Sequence, residues 1–128
     1  MLIKPASRCS QIIGLMFRAK TGCRLCQLSY GFGGIRNGGK IYADMNKYFL
    51  IDDLKKWEDT EISVLGILKR HTSTPTPFER GMVEAALHEL AQDRFGLKLG
   101  QYSVIETMKT FPCHYHQHLC VPKKDYKK

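Results

Sequence analysis

Three of the chain's five histidines stand at alternate positions in one short run, FPCHYHQHLCV, residues 111–121. His114, His116 and His118 alternate with Tyr115, Gln117 and Leu119. Successive side chains of an extended strand point to opposite faces of a sheet. The spacing therefore predicts a strand that carries its imidazoles in one row on one face, with Cys120 continuing the row. That concentration of donors favours metal binding or nucleophilic chemistry over an inert surface strand.

The rest of the chain must supply a sheet for this strand. With 128 residues, 43% hydrophobic and 25% charged, the expectation is one domain over 1–128 with a real core. Residues 1–20 read as an N-terminal extension and 123–128 as a basic tail. KIYAD and KYFLID flank the polar MN and predict a strand pair. DLKKWEDTE reads as a polar connector, and ISVLGILK, residues 62–69, as a buried strand that delivers His71 at its exit. The segment 11–18, QIIGLMFR, suits a short helix or a strand equally. The glycine-rich run Gly31 to Gly39 lacks the GK[ST] ending of a phosphate loop and reads as a hairpin loop.

The strongest local signal is a helix beginning at TPTPFERGMVEAALHELAQDRFG. Thr76 suits the N-cap, Pro77 the first helical position, Glu79 the capping box and Gly96 the stop. Phe78, Met82, Ala86 and Leu90 recur at helical spacing and are the expected buried face, with His88 structural or exposed. QYSVIET then reads as a strand, followed by a turn around Lys109–Pro112 and the histidine strand. This order predicts an α+β fold: an antiparallel sheet with one long helix packed on a face.

Net charge is +8, which favours anionic partners such as nucleotides, nucleic acid or an acidic surface, although a solvated basic surface accounts for it equally well. The start MLIKPASRCSQIIGLMF has a short, broken apolar run unlike a signal peptide, and no stretch is long enough to span a membrane. The expected location is therefore the reducing cytoplasm, where five cysteines are metal ligands or catalytic groups more often than disulfides.

Cys23 and Cys26 form a CxxC pair, two thiolates at a spacing suited to one tetrahedral zinc. His71 and one member of the histidine row would complete a closed Cys₂His₂ structural site. The row would keep two free imidazoles. A neutral imidazole is a good nucleophile towards phosphorus, and a second one two residues along can protonate the leaving group. Lys109 and backbone amides could offset the developing charge.

These residues resemble the histidine-triad (HIT) superfamily of nucleotide hydrolases and transferases. Its alternating His-x-His-x-His followed by apolar residues is matched by HYHQHLCV. The order along the chain is also similar: an early CxxC, KIYADMNKYFLIDDL, VLGILKRH, a long helix, a strand and then the triad. The resemblance spans roughly Cys23 to Pro122. It implies a HIT-like fold with a structural zinc held by Cys23, Cys26, His71 and His114. It makes His116 the nucleophile and His118 the residue that assists the leaving group. Asp52 or Asp53 falls where the family often places the acid that bonds the ribose, and Asp52 is the preferred one. KTFPC replaces the Gly-Gln-Ser run of many members, so Lys109 and Thr110 are the expected phosphate contacts. Ser63 stands near the place of a further family histidine. Many relatives pair through the helix and sheet edge, which implies a homodimer.

The expected function is a nucleotide phosphohydrolase that cleaves a phosphoanhydride or phosphoramidate at an α-phosphate through a covalent nucleotidyl-histidine. The charge leaves room for a nucleotide attached to a nucleic-acid end. A nucleotidyltransferase of the hexose-1-phosphate uridylyltransferase-like branch is the alternative enzyme, although that branch usually has glutamine where His118 stands. A catalytically inactive, zinc-stabilised nucleic-acid-binding module is the alternative from another class.

Overall fold

The computed structural model describes residues 23–30, 40–53, 58–108 and 111–125. The N-terminal extension with its 11–18 segment, the glycine-rich run 31–39, connector residues 54–57, Lys109, Thr110 and residues 126–128 lie outside the described residues.

The expected strand pair is β1 (Ile41–Asp44) and β2 (Tyr48–Asp52), closed by a turn in which Met45 N–H donates to the Tyr48 carbonyl at 2.9 Å. The buried strand is β3 (Thr60–Leu68), longer by two residues at its start than the apolar run suggests. The edge strand β4 is only Ser103–Ile105, and β5 is His116–Pro122. The sheet order is β1-β2-β3-β5-β4, antiparallel at every pairing. Because β3 is central and covered on both sides, it lacks the in–out polar alternation of a half-exposed strand. His114 and Tyr115 precede β5 rather than belonging to it, so the histidine row begins in the turn and continues into the strand.

The long helix is α2 (Pro77–Glu89), and it starts as expected: Thr76 caps it, Glu79 closes the capping box, and Pro77 occupies the first turn. It runs on into a π-helical turn, Leu90–Arg94, and the chain leaves through Gly96 at φ +67°, a left-handed conformation that glycine adopts without strain. The buried stripe is Val83, Ala86, Leu87, Leu90 and Ala91; of the expected series Ala86 and Leu90 belong to it, Met82 is partly buried against it, and Phe78 lies off it. A strict i+4 series drifts by about 40° per step around a helix of 3.6 residues per turn. Over three steps it leaves the face it started on, and Phe78 is accordingly 69% exposed.

Alternation along the strands sorts the core. Leu50, Val64, Leu68, Tyr115, Leu119 and Val121 pack against α2. On the other face Phe49, Ile51, Leu65 and Ile67 meet Leu25 and Leu28 of a short helix, α1 (Arg24–Tyr30). The sequence around the CxxC carried no reading of this helix. It makes the sheet a middle layer, with α1 holding the two thiols on the histidine face. A Cβ on Gly66 would lie 3.0 Å from Leu87 Cδ1 and 3.1 Å from Val83 Cγ1, so the glycine lets α2 lie close on β3.

Candidate active site and metal cluster

Cys23 stands just before α1 and Cys26 within it, three residues apart, which turns both sulfurs the same way. His71 lies three residues past the end of β3, and His114 two residues before β5. Two backbone bonds lock these chain ends together: Tyr115 N–H donates to the Thr72 carbonyl at 2.7 Å, and Leu68 N–H to the Tyr115 carbonyl at 3.3 Å. The four ligand atoms consequently lie within 4.8 Å of one another. His114 Nδ1 is 3.3 Å from Cys23 Sγ, 3.4 Å from Cys26 Sγ and 3.1 Å from His71 Nδ1. Cys26 Sγ is 3.4 Å from His71 Nδ1.

These separations fit one tetrahedral ion. With Zn–S of about 2.3 Å and Zn–N of about 2.0–2.1 Å, ligands sit roughly 3.5 Å (S to N) and 3.3 Å (N to N) apart. The surroundings agree. His114 Nε2–H donates to the Leu68 carbonyl at 2.6 Å, which leaves Nδ1 unprotonated towards the thiols. The Cys23 thiol is held far below its ordinary range, first by its hydrogen bond with Cys26 and then by His114 and His71, against the opposing effect of burial. That direction favours the thiolate, the form that binds metal.

Beyond the cluster the row continues on the α1 face. His116 is fully buried, with its ring 5.9 Å from Phe111 and 5.1 Å from His118, both edge-on. Its Nδ1–H donates to the His114 carbonyl at 2.8 Å, which fixes the tautomer. Its Nε2 is buried and has no hydrogen-bond partner among the described residues. Burial, foremost, lowers the His116 pKa, which favours the neutral imidazole. The result is an unshared lone pair with nothing to bond, beside a second imidazole. His118 Nδ1 in turn lies 3.0 Å from Asp53 Oδ2, and both side chains are 10% exposed.

Comparison with solved structures finds the same fold elsewhere. A histidine triad protein from Clostridium difficile superposes at TM-score 0.63 and 15% identity, covering 81% of this chain and 93% of its own. A HIT family hydrolase from Clostridium thermocellum gives 0.62 and 19%, covering 83% and 95%. A histidine triad nucleotide-binding protein from Candida albicans gives 0.59 and 16%, covering 80% and 77%. This chain has the histidine-triad fold. Its sequence matches no family model and no curated protein.

Within this histidine-triad fold the expected residues divide. Cys23, Cys26, His71 and His114 come together as one cluster, and His116 and His118 share one sheet face. Lys109 and Thr110 lie outside the described residues. Asp52 lies on the face opposite the histidine row. It sits one residue out of phase with Phe49 and Ile51 and so points to the α2 side of the sheet, where Tyr42 Oη–H and Lys40 N–H donate to it at 2.7 and 3.1 Å. Asp53 is in phase and faces the histidines. Which phase of β2 faces the row is set by the packing of Phe49 and Ile51 against α1.

Ser63 lies on the same face and pairs with Cys120 across β3 and β5. A cavity of about 320 Å³, lined by Tyr42, Asp52, Asp53, Glu61, Ile62 and Ser63, opens at this end of the sheet. The Cys120 thiol is buried and pushed up to about 11, by burial first and Asp53 second. It is protonated and stands apart from the metal cluster. His88, half-buried, bonds the Tyr102 hydroxyl at 2.7 Å on α2 and is structural. Among the described residues no helix is long and apolar enough to cross a membrane.

Proposed function

We propose that the protein is a nucleotide hydrolase that acts on an α-phosphate through His116. The observation that carries this reading is the buried, unpartnered Nε2 of His116, whose ring is held by the Nδ1 bond to the His114 carbonyl. In the first step Nε2 bonds to phosphorus while the bond to the leaving group breaks, giving a nucleotidyl-histidine. Water then bonds to phosphorus, the N–P bond breaks and His116 is restored. His118, its ring 5.1 Å away, is placed to move the protons of both steps. An imidazole there can activate water, which favours hydrolysis over transfer.

The Cys23–Cys26–His71–His114 cluster holds zinc in this reading, closed by four protein ligands and structural. It anchors His114, and so the carbonyl that orients His116. The net charge of +8 suits a nucleotide joined to a nucleic-acid end.

The test compares the protein with His116→Ala on nucleoside phosphoramidates, dinucleoside polyphosphates and adenylylated DNA or RNA ends. Turnover of one class by the wild type, its loss in the folded variant and an acid-labile nucleotidyl adduct after rapid quenching are the expected results. A wild-type protein that turns over none of them, yet binds nucleic acid with a steep salt dependence, overturns the reading in favour of a binding module.

A further inference from the structure

Asp53 is a carboxylate on the histidine face to which the hydrolytic scheme assigns no task. It faces His118, not open solvent. Its backbone N–H donates to the Ser63 carbonyl at 2.9 Å, which pins the residue where β2 ends. His118 stands on β5, paired with Leu65 of β3, so the carboxylate must cross the central strand to meet the imidazole. Two strand spacings are about 9–10 Å. The crossing is open because Ser63, the β3 residue at that level, is small and turns its hydroxyl aside to Thr60 Oγ1 at 3.1 Å. The contact that results, 3.0 Å between Asp53 Oδ2 and His118 Nδ1, lies between two nearly buried side chains.

We propose that Asp53 is a positioning residue: it accepts the Nδ1–H of His118 and so presents Nε2 as the acid for the leaving group and then as the base for water. This rests on the His116 reading for the reaction it serves. It also gives Asp53 a duty different from bonding a ribose. In the first step the imidazolium Nε2–H passes its proton to the leaving atom as His116 Nε2 bonds phosphorus. His118 is left neutral, with Nδ1–H still on Asp53 and a lone pair on Nε2. That lone pair takes a proton from the water that attacks the intermediate, and the imidazolium returns. The carboxylate keeps the tautomer and the ring plane through both steps and is never itself protonated. Without it the neutral ring can hold its proton on Nε2 and lose the base needed for water.

The experiment uses the full chain and two substrates that differ only in the leaving group: a nucleoside 5′-phosphoramidate, whose amine must be protonated to leave, and the nucleoside 5′-(4-nitrophenyl) phosphate, whose phenolate leaves unaided. Asp53→Asn and Asp53→Ala should lower kcat on the phosphoramidate by about 100-fold, within the range for general acid–base catalysis. The first, nucleotidyl-forming burst on the aryl ester should change by less than about threefold. His118→Ala should show the same split, and Asp53→Asn added to it should cost nothing further. Asp53→Glu should recover part of the loss.

Equal losses on both leaving groups overturn the proposal. So does a rise in KM alone, absent with 2′-deoxy substrates, since that is the mark of a ribose contact. Nitrogen-15 NMR of the histidine rings separates this from failure of the hydrolase reading. A protein that turns over neither substrate refutes the His116 scheme, and the ring signals then decide for Asp53: protonated His118 Nδ1, altered in Asp53→Asn, supports the positioning contact, and an unprotonated or unaffected Nδ1 overturns it.

Discussion

The His114 ring spans two parts of the molecule: Nε2–H is 2.6 Å from the Leu68 carbonyl at the end of β3, and Nδ1 faces Cys23, Cys26 and His71. The cluster is thereby tied to the end of β3, beside the start of β5 where His116 stands. Removing a metal held by the cluster should loosen the β3–β5 junction before it affects the distant α2 core. Metal analysis should find about one equivalent of zinc per chain, the stoichiometry of a closed four-ligand site. A strong chelator, or Cys26→Ser, should lower the melting temperature, because ligand binding to the folded state is folding free energy. Hydrogen exchange should quicken first at Leu68 and Tyr115. Full zinc content in Cys26→Ser would contradict this ligand set.

Gly66 predicts a packing effect. Alanine there would place its Cβ 3.0 Å from Leu87 Cδ1 and 3.1 Å from Val83 Cγ1, and both neighbours are fully buried with little room to retreat. Overpacking of this kind costs about 1–3 kcal/mol. Urea denaturation of Gly66→Ala should show that loss in the midpoint, with the slope unchanged.

The non-histidine residues of the triad run form a polar network on the opposite face. Gln117 Nε2–H donates to the Tyr115 hydroxyl at 2.6 Å and to the Arg80 carbonyl at 3.1 Å, while the Tyr115 hydroxyl donates to Glu106. Burial, and then the Glu106 bond, pushes the Tyr115 hydroxyl up to about 12, so it remains a donor. Arg80 Nε also bonds Glu106, at 3.0 Å. Gln117→Ala should destabilise by about 1–3 kcal/mol, the cost of leaving buried partners unmet. A double-mutant cycle with Tyr115→Phe should show coupling, since the two share one bond. Additive losses would exclude the network.

A pH effect follows from the junction of β3 and α2. Arg70 Nη2 and Nε bond both carboxylate oxygens of Glu79, at 2.6 and 2.7 Å. Arg70, opposed by burial and helped by Thr76, lowers the Glu79 pKa from 4.5 to about 2. A depressed carboxylate binds fewer protons folded than unfolded. Its contribution is therefore full above about pH 4.5 and lost as the pH falls towards about 2. Solvent screening of the half-exposed Arg70 limits this to at most about 1 kcal/mol. Glu79→Gln keeps the capping geometry and should flatten stability between about pH 5 and pH 2, measured by thermal denaturation, by roughly that amount.

Features that depend on short-range spacing are legible in the chain before it folds. The capped start of α2, its glycine stop, the apolar run of β3 and the alternation of His116 and His118 are properties of a few neighbouring residues, and the chain shows each of them. The choice of Cys23, Cys26, His71 and His114 also came from spacing and resemblance, and the folded chain draws these residues into one cluster. Which of two adjacent aspartates faces the histidines is a matter of packing, because it depends on which phase of β2 meets α1 and not on either residue. The same holds for the face of α2 that is buried, where Val83 and Leu87 rather than Phe78 meet Gly66, and for α1, whose seven residues fold against Ile51 and Leu65. A helix that short has too few internal hydrogen bonds to signal itself, so its packing supplies what its own sequence lacks.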